Sequence, residues 1–203
     1  MTAAAHGFVR RLRYGEPIIV VSGLPRSGTS MAMKMLEAGG VELLIDGVRT
    51  ADGDNPKGYF EYEPVKRLDK DDDPSWLKAA RGKAVKIISY LLLHLPEDSN
   101  YRVLFMRRDL KEVVASQNKM LVNRDEPQGS ADERMMEAFR GHLEKVDFVL
   151  SSRPQFARLD ISHRDALGDA HREARRIAEF LERPLDVEKM AAVVDRALYR
   201  NRA

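Results

Sequence analysis

Ile18-Ile19-Val20-Val21-Ser22-Gly23-Leu24-Pro25-Arg26-Ser27-Gly28-Thr29-Ser30-Met31-Ala32-Met33-Lys34-Met35-Leu36 is the stretch from which the rest of the chain can be read. The apolar run Ile18 to Val21 suits a parallel strand covered on both faces. Gly23 and Gly28 then bound a short turn whose backbone can wrap tightly around an anion. Met31, Met35 and Leu36 repeat at helical spacing, so a helix begins close behind the turn. An anion at that helix start meets N–H groups and the positive end of the helix dipole. Strand, phosphate cradle and helix follow one another within nineteen residues.

The common nucleotide-binding loop needs Gly, four residues, then Gly-Lys-Ser/Thr, with its lysine reaching the β- and γ-phosphates. From Gly23 to Ser30 that pattern holds, except that Thr29 stands where the lysine belongs. The cation lies three residues earlier, at Arg26, from where it would lean over the loop toward the terminal group of a ligand. This weakens a kinase reading and suits a 5′-phosphate or a phosphosulfate.

Pro25-Arg26-Ser27-Gly28-Thr29-Ser30 resembles the 5′-phosphosulfate loop of sulfotransferases that use 3′-phosphoadenosine 5′-phosphosulfate (PAPS). In that family a strand ends in an arginine and a serine follows eight positions later on the next helix, the two binding the 3′-phosphate. Arg108 and Ser116 stand at that spacing. Read without the family, Tyr101 to Met106 makes a strand, and Leu110, Val113, Val114, Gln117, Met120 and Leu121 stripe one face of a helix beginning near Asp109. The resemblance covers about residues 17 to 185 and is of the bacterial type, similar to the protein-tyrosine sulfotransferase branch. It implies a three-layer α/β fold of the P-loop type, a parallel sheet flanked by helices, with the cofactor across the carboxyl ends of the strands. It further implies Arg26, Ser27, Gly28, Thr29, Ser30, Arg108 and Ser116 as cofactor-binding residues, PAPS as cofactor, adenosine 3′,5′-bisphosphate as product, and no metal.

Two turn signals in Asp52-Gly53-Asp54-Asn55-Pro56-Lys57-Gly58-Tyr59-Phe60-Glu61 flank an aromatic pair and lead to a carboxylate opening the next helical stretch. The segment resembles the Asn-Pro-x-Gly-Tyr-x-Glu of many bacterial sulfotransferases, which implies Glu61 as the catalytic glutamate. The competing reading is that Glu61 merely favours a helix start through the dipole. Sulfuryl transfer needs a base for the acceptor and cations for the leaving phosphate, so Glu61 and Arg26 are the catalytic candidates. Lys86, inside the apolar segment Ala84 to Ile88, is a third, because a lysine in a strand costs stability unless its ammonium finds an anion or reaches water.

Composition bounds the alternatives. The chain has 203 residues, 43% of them apolar, enough for one core and a single domain spanning 1–203, with 1–16 an N-terminal extension and 186–203 a C-terminal helix and basic tail. A formal net charge of +2 from interspersed charges does not call for nucleic acid. The absence of cysteine excludes disulfides, thiolate metal sites and a cysteine nucleophile. Met1 to Tyr14 carries Arg10, Arg11 and Arg13 but no apolar run, and no segment approaches a membrane span, so cytoplasmic residence is expected.

Strand–helix alternation continues through Ala84 to Ile88, Tyr101 to Met106 and Gln155 to Leu159, and implies a parallel sheet. The longest helical patterns are Ala131 to Leu150 and Arg164 to Leu181, the latter stopped by Arg183-Pro184. Asp69 to Asp73 reads as a solvated loop, lacking the glycine and glutamate of a calcium loop. His6, His94, His142, His163 and His171 show no metal-ligand spacing and receive no role. Phe156 to Asp160, Asp165-Ala166-Leu167 and the helix ending Phe180-Leu181 resemble the family's closing strand–Glu-Asp-Leu–helix, with Arg164 to Leu167 departing from it. Arg200 and Arg202 are candidates for the family's missing Arg-Lys-Gly contact to the 3′-phosphate, against a frayed tail.

Tyr59, Phe60, Trp76 and Met120 are candidate apolar contributors to an acceptor pocket, set against ordinary packing. Carbohydrate, lipid, phenol and peptide acceptors stay open, as does a site completed by a homodimer. Two other classes also remain: a small-molecule or nucleoside kinase with a degenerate loop, in which Asp109 would serve Mg²⁺, and a catalytically silent nucleotide-binding module.

Overall fold

A computed structural model describes residues 3–47, 60–70, 74–123 and 132–195. Helix α1 (Ala3–Tyr14) leads into strand β1 (Ile18–Gly23), which turns directly into α2 (Thr29–Ala38). A 3-10 turn at Glu63–Arg67 and the short α3 (Trp76–Ala79) precede β2 (Ala84–Lys86) and α4 (Ser89–Leu92). The remainder alternates through β3 (Tyr101–Arg107), α5 (Leu110–Asn123), α6 (Asp132–Ser152), β4 (Phe156–Ser162), α7 (His163–Gly168), α8 (Ala170–Leu181) and α9 (Val187–Ala192).

The four strands are all parallel, in the order β2-β1-β3-β4. Val20 pairs with Val85 on one side and with Val103 on the other, so β1 is a central strand. The apolar run is buried because each face of the sheet is covered. Ile19 and Val21 pack with Met33, Met35 and Leu36 of α2 and Ile177 and Leu181 of α8. Ile18 and Val20 face Leu92 of α4 and Val146 and Leu150 of α6. Leu104 and Met106 of β3 join the first layer, Val103 and Phe105 the second. Truncating one such side chain, Leu104 to alanine for example, would cost about 2–5 kcal/mol through lost transfer energy and the cavity left behind.

The expected α/β three-layer architecture is the one observed, and its strand order fixes where a ligand belongs. From β1 the chain goes to β2 on one side and later returns to β3 on the other. The carboxyl ends of β1 and β3 are therefore the topological switch point, the place where sheets of this kind bind ligands.

Several boundaries differ from the sequence reading. Arg164 to Leu181 is two helices, broken at Asp169, whose carboxylate caps α8 by accepting the Arg172 N–H at 2.9 Å. Asp169 competes with the backbone as a cap and outweighs the continuous helical periodicity. The last strand runs Phe156–Ser162, further than Leu159, and β2 stops at Lys86 rather than Ile88. Residues 1–16, read as an extension, contain α1, docked at the amino end of the sheet. There Arg10 donates to the Phe156 carbonyl at 2.9 Å, and Gly7 rests on the Arg102–Glu182 ion pair of 2.7 Å. No helix among the described residues is long and apolar enough to cross a membrane.

Candidate active site

The loop Leu24 to Gly28 leaves β1 at the switch point. Gly23 and Gly28 take φ of 151° and 101°, so both use the freedom that only glycine has. A Cβ at Gly23 would lie 2.4 Å from Ser27 Oγ and 2.8 Å from the Met106 carbonyl, so a larger residue would destroy the cradle. The Ser27 hydroxyl oxygen is buried and makes no hydrogen bond, a polar atom that a phosphate oxygen would satisfy. Gly28 offers α2 no capping side chain, and the positive end of that helix faces the loop. Thr29 is buried and Ser30 half-buried in its first turn. The loop thus fits a phosphate or phosphosulfate on its own geometry.

The second motif meets the first. Arg108, just past β3, donates to the Arg26 carbonyl at 2.9 Å. Its Nε pairs with Glu112 Oε2 at 2.9 Å, one turn into α5, both side chains under 10% exposed. Ser116, one turn further, is buried, and its hydroxyl accepts from Arg26 Nε at 3.0 Å. The sequence reading had Arg26 leaning toward a terminal ligand group, whereas here its side chain runs to the serine assigned to the other phosphate. Arg26 itself holds φ 69°, a left-handed conformation that costs a non-glycine residue about 1 kcal/mol or more. Hydrogen bonds on both its carbonyl and its side chain hold that conformation.

A residue without a sequence-level role completes the cradle. His163 follows β4 at the same rim, is 8% exposed, and places its ring against the loop. A Cβ on Gly28 would lie 2.6 Å from His163 Cδ2 and 3.3 Å from Met106 Cε. Burial pushes the imidazole down to about 4, assisted by the Arg108 guanidinium and opposed by the Glu112 carboxylate. The ring is therefore neutral at neutral pH. Histidine spacing gave no hint of this, because the signal lies in position: each strand of a parallel sheet delivers its next residue to the same rim.

Glu61 sits on the other side. Segment Val41 to Leu44 runs beside β2, with a parallel bridge from Leu43 to Ala84, and carries Asp46 toward the carboxyl end of that strand. The Asp46 N–H reaches the Glu61 carbonyl at 3.3 Å, and Asp46 Oδ2 accepts from the Glu63 N–H at 2.5 Å. Glu61 is 19% exposed, and Lys66 Nζ lies 3.3 Å from its Oε2 and 2.5 Å from Glu63 Oε1. Those carboxylates raise the Lys66 pKa, Glu63 foremost. Phe60 holds φ 52° and packs on the α2 face of the sheet, while Trp76 packs on the opposite face, edge-on to Tyr62 at 5.5 Å. These two acceptor candidates are not brought together. Tyr59, Asp52 to Gly58, Arg200, Arg202 and the side chain of Met120 lie outside the described residues.

Lys86 ends β2 in register with Val21 of the central strand. Alternation places it on the face of Ala84, which α2 covers, and it is half-buried. Beyond it, buried Ser89 lies 2.9 Å from His142 Nε2, and the His142 ring stacks on Tyr90 at 3.8 Å. Burial, then Lys145, lowers the His142 pKa. Among the described residues no three His, Asp or Glu side chains are grouped to hold a metal ion.

No family model matches the chain, and no curated protein matches it. Solved structures that share its fold include two sulfotransferase domains. The sulfotransferase domain from the Synechococcus PCC 7002 olefin synthase aligns with a TM-score of 0.52 and 14% identity, covering 92% of this chain and 81% of that one. The sulfotransferase domain from the curacin biosynthetic pathway aligns at 0.50 and 16%, covering 89% and 79%. The chain has a bacterial sulfotransferase-type α/β fold.

Proposed function

We propose that the protein is a PAPS-dependent sulfotransferase that moves a sulfuryl group to a hydroxyl or amine of a small-molecule, carbohydrate or peptide acceptor. The observation that carries this reading is the joining of two phosphate motifs, 82 residues apart in sequence, through the Arg108 contact to the Arg26 carbonyl. A loop for one phosphate and an arginine–serine grip for a second, side by side, fit a nucleotide bearing both 5′ and 3′ anions. The likeness to sulfotransferase domains supports the reading at the level of fold.

PAPS, when bound, supplies a sulfuryl group activated by its anhydride bond to phosphate. Ser27, Gly28, Thr29 and Ser30 would hold the 5′ end through the loop N–H groups and the buried hydroxyl. Arg108 and Ser116 would hold the 3′-phosphate by charge-assisted hydrogen bonds. Glu61 would take the proton of the acceptor hydroxyl or amine. Arg26, Lys86 and the loop N–H groups would stabilise negative charge developing on the 5′-phosphate as the sulfuryl group leaves it. Lys66, with its Nζ 3.3 Å from Glu61 Oε2, would help hold that carboxylate in place.

Calorimetric titration with adenosine 3′,5′-bisphosphate, beside ATP with Mg²⁺, tests the donor. Tight binding without metal, weakened in Arg108→Ala and Ser116→Ala, is the expected result. Preference for ATP–Mg²⁺ with indifference to the 3′-phosphate would refute it in favour of a kinase. Binding without turnover in any acceptor screen would leave the silent nucleotide-binding module.

A further inference from the structure

We infer that His163 is a positioning residue which couples the two phosphate subsites, acting as a ring-shaped wedge between the loop at Gly28 and the Arg108–Glu112 pair. The inference rests on the donor assignment above and adds to it a residue and a behaviour of the site. Three features support it. The imidazole fills the space in which a Cβ of residue 28 would stand, so the left-handed turn of Gly28 closes against the ring rather than against solvent. The ring is buried and lies within electrostatic reach of Arg108 and Glu112, the pair proposed to meet the 3′-phosphate. Arg108 in turn bonds the Arg26 carbonyl of the same loop, so the arginine and the imidazole both bear on the turn from Arg26 to Gly28.

Such an arrangement has a thermodynamic signature. A 3′-phosphate drawing on Arg108 settles that guanidinium, the ring behind it and hence the turn that receives the 5′-phosphate. The benefit of the 3′-phosphate to binding then depends on the ring. A residue that only supports the fold would weaken every ligand alike. Coupling between one group on the ligand and one on the protein is what a double-mutant cycle isolates.

The experiment compares the dissociation constants of adenosine 3′,5′-bisphosphate and adenosine 5′-monophosphate for the intact protein, His163→Ala and His163→Phe, with unliganded thermal unfolding recorded for each. In His163→Ala the preference for the bisphosphate should shrink about tenfold, mid-range for directly coupled groups. His163→Phe, which keeps a ring against Gly28, should retain most of the preference. An unchanged preference in His163→Ala, or an equal loss for both nucleotides, overturns the coupling while leaving the donor assignment standing. If His163→Ala does not unfold cooperatively, His163→Leu, with similar bulk and no planar ring, is read by the same two criteria. A wild-type protein that binds neither nucleotide overturns the donor assignment and the coupling with it.

Discussion

The phosphate loop with its neighbours and the segment that carries Glu61, the proposed base, are built differently. On the phosphate side, Arg26, Arg108, Glu112, Ser116 and His163 come from the ends of three strands and the helices after them, and all but Arg26 are buried or nearly so. On the base side, Glu61 hangs from a single 3-10 turn beyond an edge strand, held by Asp46 and Lys66. The first arrangement would preorganise charge against a fixed anion. The second can be re-formed for different acceptors at little cost to the core. A donor common to many reactions and an acceptor particular to one would call for this division.

The largest effect that could break this contrast is on turnover. Glu61→Gln keeps shape and removes the proposed base, so turnover should fall roughly 10²–10⁴-fold while adenosine 3′,5′-bisphosphate affinity stays within about twofold. Steady-state sulfation and calorimetry on one preparation check both halves. A variant that binds the nucleotide poorly would show that the two sides are one unit after all.

Next is the buried ion pair. Arg108→Met leaves Glu112 without its cation at under 10% exposure, and should cost about 3–5 kcal/mol in chemical denaturation. Adding Glu112→Leu should recover most of that stability, since a well-packed apolar pair often replaces a buried ion pair at no loss. Nucleotide binding should not recover, because the charge proposed to meet the 3′-phosphate is still missing. Recovery of both would mean that Arg108 serves only the fold.

The same contrast explains what was legible in the sequence. The phosphate side is dictated by local requirements: two glycines at positive φ, an apolar strand before them, and an arginine and serine two helical turns apart. Each requirement leaves a mark at fixed spacing. Which strand neighbours which does not, and so His163 was missed although it lies against Gly28. The split at Asp169 was missed because its carboxylate favours a new helix start while the apolar spacing runs straight through. Phe60 and Trp76 both read as candidate contributors to an acceptor pocket, but the sheet between them sends them to opposite faces.

His163 gives a pH test with a definite sign. Its folded pKa of about 4 lies below the usual value of 6.5, so the unfolded chain binds the extra proton first as pH falls. The stability the neutral ring contributes is complete above pH 6.5 and is lost as pH drops toward 4, amounting to ~3 kcal/mol over that window. Urea titrations between pH 4 and 7 should therefore give a shallower decline for His163→Phe than for the wild-type protein. Identical slopes would show that the imidazole is not kept neutral beneath the loop.

The smallest effect expected is the most discriminating. Ser116→Ala removes one hydroxyl that accepts from Arg26 in the unliganded protein and would serve the 3′-phosphate in the complex. A net hydrogen bond of this kind contributes about 0.5–1.5 kcal/mol, so bisphosphate affinity should fall by less than about twentyfold and stability by less still. The two losses need not match. If affinity falls and stability does not, the serine belongs to the ligand. If both fall together and adenosine 5′-monophosphate suffers equally, its work is to hold Arg26 in its left-handed turn, and the arginine grip alone recognises the second phosphate.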